Sequence, residues 1–200
     1  MGLQKCGSCL SCLLILLALW CIAVNILLYF PNGKASYDVS NHINYVWHFE
    51  GICFSGVMIL VLAVLLILLE HDTFFQCCQS ESCNKTYRSF ISVVLALLGI
   101  AFSGYSVIIS TLGLVQGPFC NTPTGWEYLF KDTEGGYLIN YTSWSQCTEP
   151  TNGVKWNIIL FSVLMALSGL QVIICFLKAI AELKRILCGT YSVFIQPGII

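Results

Sequence analysis

Residues 89–126 read SFISVVLALLGIAFSGYSVIISTLGLVQGPFCNTPTGW, 38 residues without an Asp, Glu, Lys or Arg. About 20 apolar residues, each rising about 1.5 Å in a helix, cross a hydrocarbon core of about 30 Å. This stretch can therefore span a membrane and still leave the start of a loop behind it. Three more charge-free windows accompany it, 6–33, 51–69 and 156–177, of 28, 19 and 22 residues, and no fifth reaches 18. The chain as a whole is 200 residues, 57% hydrophobic and 10% charged, whereas soluble domains are about 45–50% apolar and about 25% charged. The predicted fold class is an all-α membrane protein, a four-transmembrane-helix bundle. A net charge of −1 excludes the basic face that nucleic acid requires.

Four spans put both termini on one side, and the basic residues choose which. Lys5, Lys85, Arg88, Lys178, Lys184 and Arg185 fall on the side of the termini and middle loop, against Lys34, Lys131 and Lys155 opposite. That bias places both termini in the cytoplasm. The predicted order is a cytoplasmic tail (1–9), first span (10–30), short extracellular loop (31–46), second span (47–69), cytoplasmic loop (70–89), third span (90–115), large extracellular loop (116–156), fourth span (157–180) and cytoplasmic tail (181–200). Phe30-Pro31-Asn32-Gly33 is a stop at the membrane surface, and the first run is too long for a signal-peptide core.

This topology sorts the 12 cysteines. Cys120 and Cys147 alone fall in the oxidising compartment, so each has one possible partner. Their bridge closes the large loop, which is too short to hold a core of its own. Asn140-Tyr141-Thr142 between them is an N-glycosylation acceptor; Asn84-Lys85-Thr86 matches too, but faces the cytoplasm and is expected to stay bare. Cys6, Cys9, Cys12, Cys77, Cys78, Cys83 and Cys188 lie inside, close to the membrane, where thiols are candidates for S-palmitoylation. The competing readings are plain thiols or a metal site, but the spacing Cys6-x2-Cys9-x2-Cys12 lacks the second matched pair of a zinc module. No metal and no cofactor are expected. Cys21, Cys53 and Cys175 lie within spans as space-fillers.

Gly99, Ser103, Ser106, Ser110 and Gly113 recur at steps of 4, 3, 4 and 3 and lay a stripe of small side chains along the third span. Such stripes mark close helix packing in lipid. Ser162, Ala166 and Gly169 on the fourth span, and Gly51 and Ser55 on the second, are read the same way. Asn25 and Glu50 sit at similar depth, each near the outer end of its span. Either a hydrogen bond between them or a protonated Glu50 would satisfy groups that are costly in hydrocarbon. Gln171 is expected to make an interhelical hydrogen bond. No catalytic constellation emerges: His42, His48, Asp38 and Glu50 show no triad spacing, and His71 lies on the opposite side. Tyr191-Ser192-Val193-Phe194 matches a tyrosine-based endocytic signal, which a clathrin adaptor would bind in extended form; the expectation is a tail without competing structure.

Lys5-Cys6 with Cys9, the run Asn25 to Gly33, Gly117-Pro118-Phe119-Cys120, Cys147-Thr148-Glu149-Pro150 and Trp156-Asn157 together resemble the transmembrane-4 L-six family, a tetraspanin-like group. True tetraspanins are similar in topology only, since they carry a Cys-Cys-Gly motif in the outer loop, whereas Cys77-Cys78 here is in the inner one. The resemblance implies a non-enzymatic plasma-membrane organiser that associates laterally with receptors or adhesion proteins and influences proliferation or motility, with endosomal cycling if the tyrosine signal operates. Trp126, Tyr128, Phe130, Tyr137, Tyr141 and Trp144 in the large loop either form a binding surface or pack the loop onto the bundle. The alternative from another class is a small channel or transporter subunit. A conducting path would be expected to show more ionisable residues or broken helices than these spans contain.

Overall fold

The computed structural model describes residues 2–29, 51–70, 81–123, 125–131, 135–148 and 152–194. The readings that rest on 30–50, including Asp38, His42, His48 and Glu50, and those on His71, Cys77, Cys78 and the tail beyond Phe194, lie outside the described residues. So do the side chains of Cys6, Cys83, Trp126, Tyr191 and Phe194. Four helices are long and apolar enough to cross a membrane: α1 (Gly2–Tyr29), α2 (Ile52–Glu70), α3 (Glu81–Gln116) and α4 (Gly153–Phe194). The four-helix membrane fold expected from the charge-free windows is the fold observed.

The apolar residues of each helix divide between two environments. Leu14, Leu17 and Ala18 of α1 pack with Ile59, Leu62, Ala63 and Leu66 of α2 and with Ile174 and Cys175 of α4. A second cluster joins Cys21, Val24 and Leu28 to Leu160 and Leu164. Leu16, Trp20, Leu97, Ile108, Ile159, Ile173 and Phe176 point outward and are exposed. Helices that are apolar on every face belong in lipid, where association depends on close packing.

The seam between α3 and α4 shows how the small residues work. An alanine Cβ at Gly99 would lie 2.6 Å from Cys175 Sγ, and one at Gly113 would lie 2.6 Å from the Phe161 ring. Between them Ser106 Oγ and Ser168 Oγ are hydrogen-bonded at 3.0 Å. Ser103 and Ser110 are buried beside them. The stripe thus faces α4, and the two helices run antiparallel. The matching stripe expected on α4 is corrected: Ala166 is exposed, and an added Cβ at Gly169 meets nothing within 4 Å. The inward face of α4 is instead Leu164, Ser168, Gln171, Cys175, Lys178 and Glu182, all buried. Three-and-four spacing fits either face, and small size alone picked the wrong one.

Three helices outrun their predicted spans at the end of the bundle nearer the termini, α1 beginning already at Gly2. α3 begins at Glu81 and α4 continues to Phe194, so α4, with 42 residues, is about 63 Å long. Leaving the lipid does not end a helix when good helix formers follow, as Ala181, Glu182, Leu183, Lys184 and Arg185 do. The tail is thereby corrected from unstructured to helical as far as Phe194. At the other end Gly117 stops α3: its φ is +77°, its N–H returns to the Gly113 carbonyl at 3.2 Å, and Pro118 cannot continue the helix.

Candidate functional site

Beyond Gly117 the chain builds a small lobe on the end of the bundle. Strands β1 (Cys120–Thr122) and β2 (Gly125–Glu127) pair antiparallel, with Cys120 opposite Glu127 and Thr122 opposite Gly125. Cys147 closes the lobe through its disulfide to Cys120, a Cα–Cα distance of 5.3 Å across a sequence separation of 27. Thr148 then bonds the Asn121 carbonyl through its N–H at 3.2 Å and its hydroxyl at 2.6 Å. Joining residues so far apart stabilises by roughly 3–4 kcal/mol, chiefly by restricting the unfolded loop.

The loop expected to be too short for a core builds one together with α4: Cys120, Phe130 and Tyr137 pack with Val154 of α4, and Leu138, Trp144 and Ile158 lie against them. Phe130 and Tyr137 stack with centroids 4.5 Å apart. The Tyr137 hydroxyl donates to the Leu114 carbonyl in the last turn of α3, and Trp144 Nε1 donates to the Tyr137 carbonyl at 2.8 Å. Tyr137 therefore bolts the lobe to the bundle. Burial pushes its phenol up to about 12, because the phenolate would be formed away from water.

The loop aromatics divide by burial. Phe130 and Tyr137 are structural, while Tyr128 and Trp144 are half-buried. Tyr141 points outward at 69% exposed, and Ile139, which the sequence reading did not single out, is 85% exposed. These two flank Asn140, itself exposed, whose Oδ1 accepts from the Thr142 N–H at 3.3 Å. The Tyr141 ring meets Trp144 edge-on at 4.9 Å, so it stands on a supported surface.

At the opposite end a polar cluster that the sequence reading missed ties all four helices. Lys178 Nζ of α4 lies 2.7 Å from Glu70 Oε1 at the end of α2 and donates to Ser11 Oγ of α1. The side chains of Lys178 and Glu70 are 2% and 16% exposed. Arg88 of α3 caps α2, its Nε donating to the Leu69 carbonyl at 2.8 Å, which satisfies a free C-terminal carbonyl and complements the helix dipole. Glu182 and Arg185 pair one turn further along α4. The signal lay in the period: Ser168, Gln171, Cys175, Lys178 and Glu182 recur at steps of 3, 4, 3 and 4, one polar stripe on one face.

The remaining candidates separate clearly. Asn25 Nδ2 donates back to the Cys21 carbonyl at 2.8 Å, and its amide oxygen lies against Gly51. Gln171 makes an interhelical hydrogen bond, Nε2 to the Ser55 carbonyl at 3.1 Å. Cys9, Cys12 and Cys188 are exposed, Cys21 and Cys175 are buried, and Cys53 is half-buried. Among the described residues no three His, Cys, Asp or Glu side chains gather as metal ligands would. Tyr191–Phe194 forms the last turn of α4, so docking in extended form needs that turn to unwind.

A family model described as L6 membrane protein matches residues 1–192. The chain is 62% identical to transmembrane 4 L6 family member 18 of Bos taurus and 60% identical to that of Homo sapiens, in both cases over all of both chains. It is 46% identical to human member 1 over 92% of this chain and 93% of that one. No solved structure matches it. With four membrane-spanning helices, a disulfide-closed lobe and a family match over nearly its full length, the chain belongs to the L6 membrane protein family.

Proposed function

We propose that this protein is a lateral organiser in the plasma membrane, which engages the outer portions of receptors or adhesion proteins through its lobe and thereby influences proliferation or motility. The observation that carries the reading is the outward pair Ile139 and Tyr141, 85% and 69% exposed on a lobe fixed to α3 through Tyr137. Large apolar and tyrosine side chains held on a rigid base lose little freedom on binding, which favours interaction hot spots.

The orientation follows the basic-residue bias: both termini and the 70–89 loop in the cytoplasm, and the lobe outside. A disulfide in the lobe fits an oxidising compartment, and a glycan on Asn140 would sit beside the binding pair. Acyl chains on inner cysteines, including the exposed Cys9 and Cys12, would sort the bundle among membrane lipids, since four helices already anchor it. Fraying of the last helical turn would let Tyr191 and Phe194 reach a clathrin adaptor and route the protein through endosomes.

The test is proximity labelling in intact cells with wild type beside a double variant, Ile139→Asp with Tyr141→Asp, matched for surface level. Loss of a set of labelled membrane proteins supports the reading. An unchanged set at equal surface level removes it.

A further inference from the structure

Among the described residues, two buried polar atoms in the middle of the bundle have no hydrogen-bond partner, Ser103 Oγ of α3 and Gln171 Oε1 of α4. Both residues are 0% exposed. The seam register brings them to one level. Ser103 lies four residues after Gly99 and three before Ser106, while Gln171 lies four before Cys175 and three after Ser168; Gly99 meets Cys175 and Ser106 meets Ser168.

Each side chain has a reason to leave its atom unmet. Gln171 is held by its amide nitrogen, which donates to the Ser55 carbonyl at 3.1 Å and to Cys21 Sγ at 3.6 Å, so the amide oxygen is the free end. Ser55 sits in the π-helical opening of α2, Ile52–Met58, and its own hydroxyl returns to the Gly51 carbonyl at 2.6 Å. Thr111 does the same toward Val107 at 2.8 Å. Ser103 does not bond back in this way. An amide oxygen and a hydroxyl in one hydrocarbon-bounded layer, neither partnered, are a costly pair.

We propose that the seam holds one buried water, which accepts a hydrogen bond from the Ser103 hydroxyl and donates one to Gln171 Oε1. A water needs two to four polar partners to reside inside a protein, and these two atoms supply the minimum. The water completes a node that joins every helix: Cys21 of α1, the Ser55 carbonyl of α2, Ser103 of α3 and Gln171 of α4. Its role is positional. It fixes the π-helical segment of α2 against the α3–α4 seam.

The experiment measures unfolding of the full chain in mixed detergent micelles for wild type, Ser103→Ala, Gln171→Leu and the double variant, with an experimental density map of the wild type. The expected result is an unfolding constant raised roughly three- to fifteen-fold by Ser103→Ala, the range of polar contacts between membrane helices. The double variant should be less affected than the product of the singles. The map should show a single peak about 2.7–3.2 Å from both atoms. A Ser103→Ala protein as stable as wild type, or strictly multiplicative effects, would overturn the proposal. So would a map with Ser103 bonded directly to Gln171, or stability that rises with sodium at constant ionic strength, which would mark a cation. If Gln171→Leu does not fold, the Ser103→Ala result and the map decide.

Discussion

Replacing Gly99 by alanine inserts one methyl group where the structure has no room for it. The new Cβ would lie 2.6 Å from Cys175 Sγ but 3.6 Å from Cys175 Cβ, so the overlap belongs to the sulfur alone. Carbon-sized atoms settle at about 3.5–4.0 Å, an intrusion of roughly 1 Å. Cys175 is 2% exposed and has nowhere to swing. Overpacking of this kind costs about 1–3 kcal/mol; the better helix propensity of alanine returns up to about 1 kcal/mol, leaving a net loss of about 1–2 kcal/mol. Cys175→Ala alone leaves a small void and costs about 1 kcal/mol. In the double variant the two Cβ atoms meet at an ordinary distance, so each change should offset the other and stability should return to within about 0.5 kcal/mol of wild type. Gly104→Ala and Gly169→Ala are the controls, because an added Cβ at either meets nothing within 4 Å. The assay is reversible unfolding by SDS in mixed micelles, followed by tryptophan fluorescence. If Gly99→Ala unfolds at the same SDS fraction as Gly104→Ala, or if Cys175→Ala fails to rescue it, the α3–α4 register is wrong.

Other perturbations read the two ends of the bundle. Lys178→Met strands Glu70 among buried neighbours and should cost about 3–5 kcal/mol in the same unfolding assay, whereas Lys178→Met with Glu70→Met should come back to wild-type stability or exceed it; equal losses in single and double would refute the ion pair. Tyr137 has its folded-state phenol raised to about 12 from 10, so its contribution to lobe stability is complete below about pH 10 and is lost as pH rises through about 12. The difference in 295 nm absorbance between wild type and Tyr137→Phe should therefore titrate late, and a midpoint near pH 10 would contradict its burial. Thioester exchange should detect acyl chains at Cys9 or Cys12 and fall when both are changed to Ser, while complete exchange-resistance of the wild-type protein would remove the acylation reading.

The spans were legible because lipid imposes a single requirement, a long charge-free run, and four such runs stand out in the sequence. The disulfide was legible for a related reason: topology left Cys120 no partner but Cys147. The helix ends were not, since hydropathy marks where lipid stops, and α4 goes on through Lys184 and Arg185 as an ordinary helix. Reading small size as contact succeeded on α3 and failed on α4, where Ala166 is exposed and the packed face carries Ser168, Gln171 and Lys178. Lys178 was counted as a cytoplasmic charge, yet it is 1% exposed; partners far off in the chain, Glu70 at a separation of 108 residues and Ser11 at 167, make its burial tolerable. In the lobe, no local pattern separates Tyr137 from Tyr141. What buries one and exposes the other is the stacking on Phe130 and the reach to Leu114, 23 residues back along the chain.

The sidedness of the lobe is the point on which the functional account turns. The direct measurement is labelling of intact cells with a membrane-impermeant maleimide after mild reduction, with labelled positions identified by mass spectrometry. Cys120 and Cys147 should be modified, with Cys9, Cys12 and Cys188 labelled only after permeabilisation and removal of any acyl chains. Labelling of Cys9 or Cys188 on sealed cells, with Cys120 and Cys147 protected, would contradict this sidedness.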